Sequence, residues 1–138
     1  MAVTIDIGDM NDIHPKNKQE VGHRLALLAR TDTYGERIVC SGPVYQTYRV
    51  KGDRVILSFE CADGGLKTYD GETLTGFAIA GIDGKYHWAE AEICGNEIIV
   101  SSEMVKHPLA VRYGWGDNPA CNLINGAGLP ASSFQTLR

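Results

Sequence analysis

The stretch "GDMNDIHPKNKQEVG" at residues 8–22 concentrates the chemistry of this sequence. His14 has Asp12 two residues before it, Asp9 five before it and Pro15 directly after it. A histidine beside a carboxylate has the parts of a general base and its orienter. The carboxylate fixes the tautomer and stabilises the imidazolium. Such a pair still needs a nucleophile to activate. Two other readings compete with it. Asp12 or Asn11 could simply cap backbone N–H groups near the start of a helix. A metal site is the third, with His23 nine residues on, but the Asp/His spacing matches no familiar ligand set.

A search for the nucleophile finds little. Ser41, Ser58, Ser101, Ser102, Ser132 and Ser133 are present. None sits in a Gly-x-Ser or Gly-Asp-Ser context after a strand, so none is expected to attack. Cysteines fall at 40, 61, 94 and 121 with no C-x-x-C spacing, which gives a zinc knuckle no support. They read as buried free thiols on strands rather than as disulfides. No metal or organic cofactor is implied.

A second group of residues could hold a sugar. Trp88, Trp115 and Tyr113 offer aromatic faces. Trp88, inside "YHWAEAEI", reads as a core or domain-interface residue. In "RYGWGDNP", glycines around Trp115 suggest a loop at a sheet end. Asp117, Asn118, Asn122 and Asn125 are turn formers first. Arg112, Trp115, Asn118 and Asn122 could instead line the wall of a neighbouring active site.

The elements that must position these groups fall into two parts. In residues 1–37, "AVTIDI" has the β-branched content of a strand. Pro15 suits a first helical turn. Val21, Leu25 and Leu28, with Ala26 and Ala29, mark one apolar helix face that ends near Gly35. Residues 40–138 read as short strands. "VYQTYRV" and "RVILSFE" flank the turn "KGD", and "LTGFAIAG" and "YHWAEAEI" flank "IDGK". "NEIIVSS", "LAVRYGW" and a terminal strand at 134–137 follow. Turn signals at roughly ten-residue intervals predict an antiparallel β-sandwich. A lone strand and helix do not make a domain. A strand–loop–helix unit belongs to a parallel α/β sheet, so residues 1–37 read as the end of a larger α/β domain.

Composition sets outer bounds. The chain has 138 residues, 43% hydrophobic and 22% charged, with a net charge of −4. That is ordinary for one globular domain. The charges are mixed with no basic stripe, which argues against nucleic acid as a partner. No apolar run approaches the roughly 18 residues of a membrane span. The N-terminus lacks the layout of a signal peptide.

Several segments together point to a family. "GDMNDIHPKNKQEVGHRLALLA", "SGPVYQTYRVKGDRVILSFE", "GFAIAGIDGKYHWAEAEICGNEIIVSS", "VRYGWGDNPACNL" and "GLPASSF" resemble the C-terminal portion of bacterial sialate O-acetylesterases, of the SGNH/GDSL hydrolase superfamily. The resemblance covers essentially the whole chain. It implies a mainly β chain: an antiparallel β-sandwich at 40–138 preceded by the last strand, histidine loop and last helix of an α/β SGNH domain. It further implies Ser-His-Asp removal of acetyl groups from sialic acids. His14 matches the family's catalytic histidine. The wider superfamily places its acid three residues before the histidine, where this sequence has Asn11. Asp12 gives D-x-H instead, with Asp9 as the other candidate. The family's serine block and its oxyanion-hole glycine and asparagine blocks are not in this sequence. The partners implied are an O-acetylated sialic acid and an N-terminal catalytic part, and the chain alone is expected to be inactive. A periplasmic or secreted setting fits such a parent enzyme.

Overall fold

The computed structural model describes residues 1–14 and 16–137. Pro15, expected in a first helical turn, lies outside the described residues. One helix, α1 (Lys18–Asp32), precedes ten strands. These are β1 (Val44–Lys51), β2 (Arg54–Glu60), β3 (Leu66–Thr68), β4 (Phe77–Ala80), β5 (Tyr86–Trp88), β6 (Glu90–Cys94), β7 (Glu97–Ser101), β8 (Ala110–Tyr113), β9 (Leu123–Asn125) and β10 (Phe134–Gln135). The protein is mainly β, and every strand pairing is antiparallel.

Two four-stranded sheets, β1-β2-β7-β6 and β10-β8-β4-β5, face each other across one core, to which the small β3-β9 pair adds Leu66 and Leu123. Alternation explains the core. Val55, Leu57 and Phe59 of β2 and Ile98 and Val100 of β7 point inward from one sheet; Phe77 and Ile79 of β4 and Val111 and Tyr113 of β8 meet them from the other. Leu57, Ile79, Ile98 and Val100 are fully buried, each worth about 1.5–3 kcal/mol over exposure. In β1 the register slips between Tyr45 and Thr47. That extra residue brings Tyr45 and Tyr48, three apart, onto the same core.

The two hairpins anticipated at "KGD" and "IDGK" form, with Gly52 and Gly84 at φ +64° and +69°. "YHWAEAEI" is not one strand. It breaks at Ala89, whose N–H bonds to Phe77 O at 3.1 Å. β5 stays at the edge of one sheet, and β6 becomes the edge of the other. The chain thus turns a corner of the sandwich in one residue.

The thiols are free, but their expected burial on strands needs correction. Cys121 is buried, Cys40 half-buried, and Cys61 and Cys94 exposed. Of the four, only Cys94 lies on a strand.

The strand expected at 2–7 does not form. A strand needs a neighbour, and no described segment pairs with this one. Thr4–Ile7 makes a turn instead, with Ile7 N–H bonding Thr4 O at 3.2 Å. What holds the segment is Arg24. Its guanidinium donates to Val3 O at 2.7 Å, to both Asp6 carboxylate oxygens at 2.6 and 2.8 Å, and to Glu20 Oε1 at 2.9 Å. Arg24 is buried by this clamp. Ile5 packs on the sandwich core. The N-terminal segment is therefore wedged between helix and sandwich.

Helix α1 begins at Asn17, whose side chain accepts the Glu20 N–H at 3.1 Å. It ends before Gly35, in the left-handed region at φ +70°. Its expected apolar face is only half covered. Val21 and Leu28 are partly buried, whereas Leu25 is 54% exposed and Ala26 and Ala29 are exposed.

Candidate functional site

The loop between the Thr4–Ile7 turn and α1 carries His14. Its backbone is shaped by two aspartates. Asp9 Oδ1 accepts the Asn11 N–H at 3.0 Å, and Asp9 Oδ2 accepts from Lys16 Nζ at 3.0 Å. Asp12 N–H bonds Asp9 O at 3.3 Å. Asp12 Oδ1 accepts the His14 N–H at 2.9 Å and lies 2.9 Å from His14 Nδ1.

These contacts separate the readings that the sequence left open. The helix is capped by Asn17, not by Asp12 or Asn11. Asp12 caps only the N–H of His14 itself, and the same oxygen meets the ring. Asp9 is engaged by Asn11 and Lys16, so Asp12 is the carboxylate beside the imidazole. Among the described residues, no group of three or more His, Cys, Asp or Glu side chains could hold a metal ion.

Electrostatics follow the geometry. The His14 backbone N–H, and then the His14 ring, hold the Asp12 carboxyl below its ordinary value. The Asn11 N–H, and then Lys16, do the same for Asp9. An ionised Asp12 accepts at Nδ1, so a neutral His14 carries its proton there. That leaves Nε2 as a lone pair able to take a proton. The His14 side chain is largely exposed.

The second candidate group divides. Arg112, Ala78 and Trp88 lie in one row across β8, β4 and β5. Arg112 stacks its guanidinium 3.8 Å from the Tyr86 ring centre and 4.8 Å from that of Trp115. Its Nε donates to Gln135 Oε1 at 3.0 Å. Asn118 lines the adjoining cleft with Trp88 and Trp115. Asn122 does not belong there. It is buried, donating to Asp70 at 3.0 Å and Thr73 O at 2.9 Å while accepting from Thr75 N at 2.9 Å. Those bonds use it up as a tie between two loops. Of the two places expected for Trp88, core or domain interface, the core is excluded. The residue is 80% exposed, because β5 is an edge strand and position 88 faces outward.

The two regions touch. Gly114 follows β8 at φ +61°, and a Cβ there would come within 3.0 Å of Ile5 Cδ1. So the loop bearing Trp115 leaves the sheet against the segment that leads to His14. Sequence reading missed Arg24 and Ile5. The only signal for Arg24 was a charged residue beside the apolar positions of the helix.

The same architecture occurs in a solved structure. A carbohydrate acetylesterase from Xanthomonas citri matches at 48% sequence identity and a TM-score of 0.95, over 99% of this chain and 32% of that one. This chain is thus similar in sequence and fold to about a third of a carbohydrate acetylesterase. The chain spans about a third of that relative's length. No protein-family model matches the sequence, and no curated protein does. No helix among the described residues is long and apolar enough to cross a membrane.

Proposed function

We propose that this chain is the C-terminal part of an SGNH-type carbohydrate esterase and supplies the base of its active site. The serine nucleophile and the oxyanion donors would come from another part of the protein. His14 Nε2 takes the serine proton as the serine attacks the acetyl carbonyl. It then returns that proton to the departing sugar oxygen. The same nitrogen activates the water that hydrolyses the acetyl-enzyme. Asp12 holds the ring and balances the imidazolium charge.

The observation that carries this reading is the 2.9 Å contact between Asp12 Oδ1 and His14 Nδ1. Support comes from the acetylesterase relative and from the half-covered face of α1, as expected of a helix that packs on a sheet beyond this chain. O-acetylated sialic acid is the substrate that the sequence resemblance implies. A second reading makes the sandwich a carbohydrate-binding module with residues 1–37 as a docking arm. The exposed Trp88 and Trp115 favour it.

The test is hydrolysis of acetylated sugars by the full-length protein. His14→Ala lowers kcat by orders of magnitude with a modest change in KM. Comparable turnover in the variant removes His14 from the chemistry. The 138-residue chain alone hydrolyses an activated acetyl ester no faster than its own His14→Ala variant.

A further inference from the structure

The outer face of the β10-β8-β4-β5 sheet holds an unusual arrangement of charge and aromatic surface. Ala78 pairs with Arg112 on one side and Trp88 on the other. Its small side chain leaves a trough between them. Arg112 does not cross that trough to an acid. Its guanidinium lies over Tyr86 and Trp115, and its Nε is taken by the neutral Gln135. No carboxylate among the described residues forms an ion pair with it. Three neighbours thus fix the plane of a cation whose charge none of them neutralises.

The aromatic surface beside it is open. Trp88 is 80% and Trp115 56% exposed. Two adjoining clefts, of about 250 and 500 Å³, share Gly76, Trp88 and Trp115, and Asn118 lines the larger. Together they are of the size that holds small ligands. An exposed indole is suited to the C–H face of a pyranose ring. A guanidinium fixed in its plane is suited to a carboxylate, which it meets with two parallel N–H bonds.

We propose that the cleft between Trp88, Trp115 and Arg112 is a binding subsite for a carboxylate-bearing sugar unit. The ring rests on Trp88, and the Nη1 and Nη2 groups of Arg112 donate to the carboxylate. The proposal rests on the reading that this protein works on sugars, but it uses no residue of the His14 loop and no acetyl group.

The test titrates the 138-residue chain with an unacetylated oligosaccharide ending in glucuronic acid, and with the same oligosaccharide after its carboxyl is reduced to an alcohol. Tryptophan fluorescence and calorimetry read binding. The acidic sugar binds at least tenfold tighter than the reduced one. Trp88→Ala weakens both by tenfold or more, whereas Trp88→Phe keeps most of the affinity. Arg112→Gln brings the acidic sugar down to the affinity of the reduced one. His14→Ala changes nothing, which separates this site from the esterase reading. Thermal unfolding of each variant within a few degrees of the parent shows that the sandwich is intact. Equal affinity for the two sugars, absence of binding, or full binding by Trp88→Ala overturns the proposal. In the last two cases the aromatic face serves contact with the rest of the protein instead.

Discussion

Arg24 reaches across 18 residues of sequence to close on Asp6, its two terminal nitrogens bonding the two carboxylate oxygens at 2.6 and 2.8 Å. The residues between them include the whole His14 loop. One partner precedes the loop and the other follows it, so this pair fixes the loop's two ends relative to each other. Burial raises the stakes, because a buried charge that loses its partner is costly.

Replacing Arg24 with Met should therefore destabilise the chain by about 3 kcal/mol. Asp6→Asn should cost less, since Glu20 and Val3 O still hold the guanidinium. The double variant should cost less than the two single effects summed, because the pair interacts directly. Urea unfolding measures all three. Strict additivity would mean that the contact contributes nothing.

The two aspartates of the loop should separate in kinetics. Asp12→Asn removes the anion from Nδ1 and favours the wrong ring tautomer. On the proposed esterase reading, kcat of the full-length protein should fall by a factor on the order of 10⁴, by analogy with serine hydrolases. Asp9→Asn should lose far less, because Asp9 touches Asn11 and Lys16 rather than the ring. Equal losses would contradict the geometry.

The acid side of the pH profile carries a sign. Asp12 is held below its ordinary value near 3.8 by the His14 N–H and ring. A depressed carboxyl contributes its stabilisation above the unfolded value and loses it as pH falls through the folded one. The His14 loop should therefore stay ordered as pH drops to about 3.8 and loosen only below it. Carboxyl NMR shifts of Asp12 followed from pH 6 to 2 report the midpoint. A midpoint above 3.8 would contradict the hydrogen bonding described.

Gly114 offers a test of how the two regions are joined. Its φ of +61° costs a side chain about 1 kcal/mol, and a Cβ would press on Ile5 Cδ1. Gly114→Ala should lower Tm and raise amide exchange in residues 4–7 more than in β2 or β7. Unchanged exchange at 4–7 would show that Ile5 does not depend on this contact.

The sandwich was readable because its signals are local. Gly52 lies in a two-residue turn and Gly84 in a five-residue one, both at positive φ, and inward residues alternate along β2 and β7. Strands β3 and β9 carried no such signal. They are three residues each and exist through pairing with one another. The outward direction of Trp88 was hidden for a related reason: the pattern of "YHWAEAEI" mixes two strands that belong to different sheets. The residues Asp12 and His14 could be named from sequence, but not the geometry between them. Choosing Asp12 over Asp9 needed the position of Lys16. Asn122 and Asn125 looked alike as turn formers, yet both are buried. Asn125 donates to Ser41 O and Cys61 O, each at 3.0 Å, and accepts from Ala127 and Leu129. Such long-range satisfaction of a buried amide leaves no trace in spacing.

Ala89 has a mechanical consequence. With Trp88 fixed to one sheet, Glu90 to the other and one residue between, that corner of the sandwich works as a stitch. The sheets cannot shear past each other there without breaking a strand pairing. The aromatic edge of β5 is therefore tied at its end to both sheets. Exchange of the Ala89 amide should require opening of the whole sandwich, whereas an ordinary edge loop would fray on its own.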